Sequence, residues 1–211
     1  MSYLDSVNMR RAPGISFFFV LLAGFCFAQT PEDLYSKAEA KADMQNFRGA
    51  LQDLNKAIEI NPLYIKAFNF RGYVKDELND YKGALQDYNL AISLKSDYSE
   101  AYANRGKAKR QLQDMQGAMK DFNTAINLDS SKLEAFFGRA MLKSEMKDYK
   151  GAVQDFDRAA QIAPSYAKTY SLRGEVKFKL GDVNGACNDL KKAQKLGYTV
   201  AFASFKDFCE R

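Results

Sequence analysis

A chain of 211 residues with 46% hydrophobic and 27% charged residues has the composition of a folded protein, and its net charge of +5 is interspersed rather than gathered in runs of one sign. That pattern speaks for solubility and against a nucleic-acid-binding role. Histidine is absent, which removes the usual general base, the Ser-His and Cys-His nucleophile pairs and imidazole metal ligands, so no enzyme, cofactor or metal site is expected.

The first 28 residues read as an export signal: Arg10 and Arg11 form a positive region, Ile15 to Phe27 an apolar run, and Cys26-Phe27-Ala28 places a small residue before a cut between Ala28 and Gln29. An uncleaved anchor is the alternative, although 13 apolar residues fall short of the roughly 20 that a membrane-spanning helix needs. Met9, directly before the arginines, offers a second translation start. Cys26 raises a lipoprotein signal, against which stands the bulky Phe25 before it.

After the cut, Thr30 can cap a helix, Pro31 suits its first position and Asp33 can answer the cap. From there the chain repeats itself. The phrase Asp80-Tyr81-Lys82-Gly83-Ala84-Leu85-Gln86-Asp87-Tyr88 returns as Asp148-Tyr149-Lys150-Gly151-Ala152-Val153-Gln154-Asp155-Phe156, 68 residues later, with a diverged copy midway at Asp114 to Phe122. Asn46 to Leu54 and Asp182 to Leu190 extend the series, so a Gly-Ala pair recurs at 49/50, 83/84, 117/118, 151/152 and 185/186. With that alanine at slot 20 of a 34-residue unit, five units run over 31–64, 65–98, 99–132, 133–166 and 167–200 without insertion. Slots 4, 8, 10 and 14 hold apolar or small residues at helical spacing, a short polar turn follows, and slots 20, 21, 24, 27, 28 and 30 carry a second apolar face. Each unit is therefore predicted to be two amphipathic helices that bury their faces only by stacking.

The small residue at slot 8 (Ala38, Gly72, Gly106, Ala140, Gly174) and the alanines at slots 20 and 27 make these units resemble the tetratricopeptide repeat. Small side chains there suit close helix contact, and the Gly-Ala pair as a whole is attributed to that contact. The resemblance implies an all-α, right-handed superhelical solenoid. Two departures stand out: proline at slot 32 occurs only as Pro62 and Pro164, and slot 4 never carries the family's tryptophan.

A third departure is periodic. Slot 11 is lysine in every unit (Lys41, Lys75, Lys109, Lys143, Lys177), slot 7 is basic (Lys37, Arg71, Arg105, Arg139, Arg173) and slot 23 is aspartate (Asp53, Asp87, Asp121, Asp155, Asp189). Slots 7 and 11 share a helix face. Two readings stay open: a structural ladder in which these charges pair with the aspartates, which the matching period favours, and a basic track for an anionic partner.

Residues 201–211 fit the capping helix that a terminal repeat needs, with Ala201, Phe205, Phe208 and Cys209 at helical spacing. Cys187 and Cys209 lie at equal distances from residue 198, where the chain is expected to reverse. An antiparallel pair brings them together, and export lets them join in a disulfide; two free buried thiols are the alternative.

The resemblance also implies a concave groove lined by slots 2, 5, 9, 12 and 13 of the first helices: Tyr35, Glu39, Lys66, Asn69, Tyr73, Asp76, Lys107, Arg110, Phe137, Met141, Glu145, Glu175 and Phe178. Five first helices about 10 Å apart give about 40 Å, room for an extended peptide of about a dozen residues. Tyr73, Phe137, Met141 and Phe178 are candidate apolar anchors, with Lys107 and Arg110 placed for a carboxylate. The family's clamp for C-terminal dicarboxylates is missing, because slot 5 reads Tyr35, Asn69, Ala103, Phe137 and Ser171 and slot 9 has no asparagine. The expected function is a non-enzymatic scaffold in the periplasm or cell envelope of a bacterium that binds a protein or peptide and does not stay inserted in the membrane once the signal is cut. A self-associating structural or assembly protein and an enzyme subunit are the alternatives.

Overall fold

The computed structural model describes residues 29–198 together with Cys209. The expected signal segment up to Ala28, and the expected capping helix apart from Cys209, lie outside the described residues. Among the described residues there are ten helices and no strand: α1 (Pro31–Asp43) and α2 (Phe47–Ile60), α3 (Ile65–Glu77) and α4 (Tyr81–Leu94), α5 (Ser99–Gln111) and α6 (Met115–Leu128), α7 (Leu133–Glu145) and α8 (Tyr149–Ile162), α9 (Ala167–Lys179) and α10 (Val183–Lys195). Each first helix packs on its own second helix, and each second helix packs on the next first helix, so the chain is a solenoid of helix pairs. No helix among the described residues is long and apolar enough to cross a membrane.

Local chemistry sets the helix ends. At α1 the Thr30 hydroxyl accepts the Asp33 N–H at 3.1 Å while the Asp33 carboxylate accepts the Thr30 N–H at 3.2 Å, with Pro31 at the first helical position. Each first helix then ends on a left-handed residue at slot 15, namely Gln45, Asn79, Gln113, Lys147 and Gly181, and the next N–H reaches back to the carbonyl of the slot 11 lysine at 2.8–3.0 Å. Four of these five residues are not glycine, so the turn is held by that backbone closure against a conformation that side chains disfavour.

The second helix of each unit is capped by its slot 16 residue, Asn46, Asp80, Asp114, Asp148 or Asp182, which accepts the slot 19 glycine N–H at 2.8–3.0 Å. Here the structure corrects the expectation that helix contact explains both halves of the Gly-Ala pair. A Cβ on Gly83 or Gly117 would stand 2.1 or 2.0 Å from the capping carboxylate of Asp80 or Asp114, so the glycine answers to the cap. The alanine at slot 20 is the contact residue: Ala50, Ala84, Ala118, Ala152 and Ala186 are all buried.

The core alternates small and large across each pair. Tyr88 and Phe122 at slot 24 are buried against Gly72 and Gly106, where an added Cβ would meet their rings at 2.6 and 2.9 Å. Between units the alanines of slot 27 meet those of slot 3, as with Ala91 on Ala101 and Ala125 on Ala135. At the C-terminal end Cys187 on α10 and Cys209 are joined by a disulfide, with Cα atoms 5.4 Å apart.

Candidate partner-binding groove and the charge ladder

In four units the slot 7 arginine grips the slot 23 aspartate of its own unit through Nε and Nη2, at 2.5–2.9 Å: Arg71 with Asp87, Arg105 with Asp121, Arg139 with Asp155 and Arg173 with Asp189. The slot 11 lysine approaches the same carboxylate at 2.7–2.9 Å, so two cations share one buried anion. The remaining Nη1 donates to slot 25 of the preceding unit, Asn55, Asn89, Asn123 or Asp157, at 2.6–3.0 Å. Each guanidinium also lies over the slot 4 ring of its own helix, Phe68, Tyr102, Phe136 or Tyr170, at 5.2–5.6 Å. The first unit departs from this pattern: Lys37 is exposed, and Asp53 is met by Lys41 instead.

The other face of the first helices carries two adjoining clefts. The first, of about 410 Å³, is lined by Tyr35, Asn69, Phe70, Tyr73, Glu100, Asn104, Lys132 and Glu134. Tyr35, Phe70 and Tyr73 form an aromatic row with ring centroids 5.5 and 5.9 Å apart, and Asn69 donates to Glu100 at 2.9 Å and accepts from Asn104 at 3.2 Å. Burial, then the Glu39 carboxylate, holds the Tyr35 phenol above its usual range, and burial with Glu100 pushes Tyr98 up to about 12.

The second cleft, of about 420 Å³, brings Tyr73, Lys107, Arg110, Phe137 and Met141 together with Ala103, Gln111, Phe122, Gly138, Tyr166 and Lys168, and shares Tyr73, Asn104 and Glu134 with the first. Phe122 reaches it because residue 138 is glycine: a Cβ there would stand 2.5 Å from the Phe122 ring. The basic groups of this cleft already have partners. Lys107 is 3.2 Å from Glu77, Arg110 is 2.5 Å from Glu145, and Lys168 lies over the Phe137 ring.

Six of the thirteen expected groove residues line neither cleft: Glu39, Lys66, Asp76, Glu145, Glu175 and Phe178. Phe178, half-buried on α9, lines neither cleft. Asp76 lies beneath the groove wall with a side chain only 1% exposed; Tyr88 donates to one oxygen at 3.5 Å, Lys107 stands 3.9 Å from it, and the other oxygen has no partner. Burial raises the Asp76 carboxyl to about 6, with Lys107 opposing. Among the described residues, no group of three histidine, cysteine or acidic side chains is arranged to hold a metal ion.

Sequence reasoning missed slot 6 (Phe70, Asn104, Gly138) and slot 34 (Lys132, Tyr166), both of which line the clefts. A signal existed: slot 6 reads Ser36, Phe70, Asn104, Gly138 and Leu172, a different side chain in every unit. A slot free of the repeat is free of the packing that imposes it.

The tetratricopeptide repeat profile matches residues 34–62, 65–98, 99–132 and 133–166, together more than half of the chain. Solved structures of similar fold include PilW, described as a widely conserved type IV pilus biogenesis factor, with 19% identity, 82% of this chain and 80% of that one covered, and a TM-score of 0.74. MamA (residues 41 to the end) from Desulfovibrio magneticus RS-1 is similar at 12% identity, with 80% and 96% covered and a TM-score of 0.66. YrrB, described as having an unusual peptide-binding site, is similar at 18% identity, with 85% and 93% covered and a TM-score of 0.61. No curated protein sequence matches.

The ladder is tested by Asp121→Asn and Arg105→Gln, singly and together, in thermal or denaturant unfolding. Asp121→Asn is expected to cost more, on the order of 3 kcal/mol, because it leaves two cations facing one neutral group. Arg105→Gln leaves Lys109 on the carboxylate and is expected to cost about 1–2 kcal/mol. Strict additivity in the double variant would count against the pairing.

Asp76 carries a pH dependence. Its folded value of about 6 lies above the ordinary 3.8, so the folded state holds the proton more tightly. The stability that protonation contributes is complete below pH about 4 and is lost as the pH rises through about 6. Asp76→Asn is therefore expected to raise stability at pH about 7.5, by about 2–3 kcal/mol, and to leave it nearly unchanged at pH about 3.5. Equal differences at both pH values would contradict this account.

Proposed function

Because the chain belongs to the tetratricopeptide repeat family, we propose that it is a non-enzymatic protein-interaction scaffold that holds an extended segment of a partner in the groove of its first helices. The observation that carries this reading is the division of labour between faces. Residues that repeat, the ladder and the caps, hold the solenoid together, whereas the cleft-lining slot 6 residues Phe70, Asn104 and Gly138 do not repeat. Two adjoining clefts of about 410 and 420 Å³ suit successive side chains of one extended segment.

The bacterial cell envelope is the compartment this reading assigns. Arg10-Arg11 ahead of the apolar run Ile15 to Phe27 supports export, and the joined Cys187 and Cys209 suit an oxidising surrounding. Closure of a loop with a sequence separation of 22 contributes about 3 kcal/mol in the chain-entropy model.

A photo-crosslinking residue placed at Tyr73 or Phe137 is expected to capture a partner in cells, while one at Gln154, exposed on the second helix of its unit, captures none. Capture from Gln154 alone, or an oligomer by light scattering without added partner, would favour the self-assembling alternative. The compartment is checked on protein from the envelope fraction, denatured without reduction: two alkylatable thiols at Cys187 and Cys209 would refute the assignment.

A further inference from the structure

From the charge and shape of the two clefts we infer that the partner segment is bipartite: an arginine or lysine side chain enters the first cleft, and a bulky aliphatic or aromatic side chain about three residues away enters the second. This rests on the groove reading above and names the chemistry of what the groove takes.

The first cleft has the features of a cation site. The Tyr35 and Phe70 rings line it, beside a Tyr73 ring that Lys107 already meets at 5.8 Å, and Glu100 and Glu134 stand at its edge. Lys132 approaches Glu100 at 3.8 Å, whereas exposed Glu134 makes neither an ion pair nor a hydrogen bond among the described residues. A cation placed here gains an unpaired carboxylate and aromatic faces without displacing an existing pair.

The second cleft has the opposite character. Phe122, Gly138, Phe137 and Met141 form an apolar floor, opened by the missing side chain at 138; Lys107, Arg110 and Lys168 lie on its rim, and Glu134 stands on the wall that it shares with the first cleft. A cation is repelled by that rim, and a bulky apolar side chain fills the floor. First helices of successive units stand about 10 Å apart, and an extended chain advances about 3.3–3.6 Å per residue, so one unit corresponds to about three residues of ligand.

Fluorescein-labelled dodecapeptides, selected from a random phage library on the full chain, are the probe. Selected peptides are expected to carry Arg or Lys about three residues from Leu, Ile or Phe. Their binding is expected to weaken about fivefold on Glu134→Lys and about tenfold on Met141→Ala, with the far-ultraviolet circular dichroism unchanged. Met141 also touches the core, so the deciding measurement uses the exposed Glu134: replacing the peptide's basic residue by Gln should weaken binding to the natural chain and should not weaken it on Glu134→Lys, where the basic residue faces a like charge. Peptides that respond to Met141→Ala but tolerate Glu134→Lys overturn the cationic anchor and leave the groove reading standing. Peptides indifferent to both variants, or failure to select any, overturn both.

Discussion

A buried carboxylate shared by two cations is the constraint on which the rest of this solenoid depends. Aspartate at slot 23 is nearly inaccessible in every unit, from 1% exposed at Asp87 to 7% at Asp53, and a charge removed from water that far is tolerable only when paired and hydrogen-bonded. The arginine that pairs it lies on the first helix, so the bond ties the two helices of a unit. Its remaining N–H group reaches the preceding unit at Asn55, Asn89, Asn123 or Asp157, which ties neighbours. A planar fork with five donors can do both at once, and a lysine cannot. In the first unit slot 7 is Lys37, exposed to solvent, and no earlier slot 25 side chain stands beside it among the described residues.

What the amino-acid order disclosed follows the same division. The period of 34 residues, the two helices of each unit and the cap at Thr30 were all legible, because each is a local pattern repeated or bounded by strong signals. The slot 19 glycine was misattributed, because spacing alone cannot distinguish a glycine that admits a neighbouring helix from one that admits a capping carboxylate. Only the distance from Gly117 to Asp114 separates the two. The groove was half legible: slots carried over from the family found Tyr35, Tyr73, Phe137 and Met141, but not Phe70 or Gly138, because cleft walls depend on which side chains are missing as much as on which are present.

Two departures from the repeat link the groove side to the core below it, Tyr88 with Asp76 and Gly138 with Phe122. Tyrosine replaces leucine or phenylalanine at slot 24 only at Tyr88, and its hydroxyl points at Asp76, the only aspartate at slot 12. Phe122 lies between Gly106 and Gly138, the latter the only glycine at slot 6. In the first pair the core ring and the slot 12 residue both depart from the other units; in the second only Gly138 does, since Phe156 also carries phenylalanine at slot 24. The concave surface of the middle units is therefore shaped from underneath, by rings held rigidly in a close-packed interior.

Such a surface bears on how the groove discriminates. Lys107 is engaged by Glu77 and Arg110 by Glu145, so an anionic ligand must break an existing pair to form a new one and gains little net energy. The floor around Phe122 and Gly138, by contrast, has apolar surface to bury, and Glu134 has no pair to give up. In the proposed reading, affinity comes from the apolar contact, while the paired charges penalise ligands that present the wrong sign at the wrong unit. On the same reading, close-packed walls leave little ordering to be done on binding, and the one-unit offset between the two clefts would set the register of a ligand.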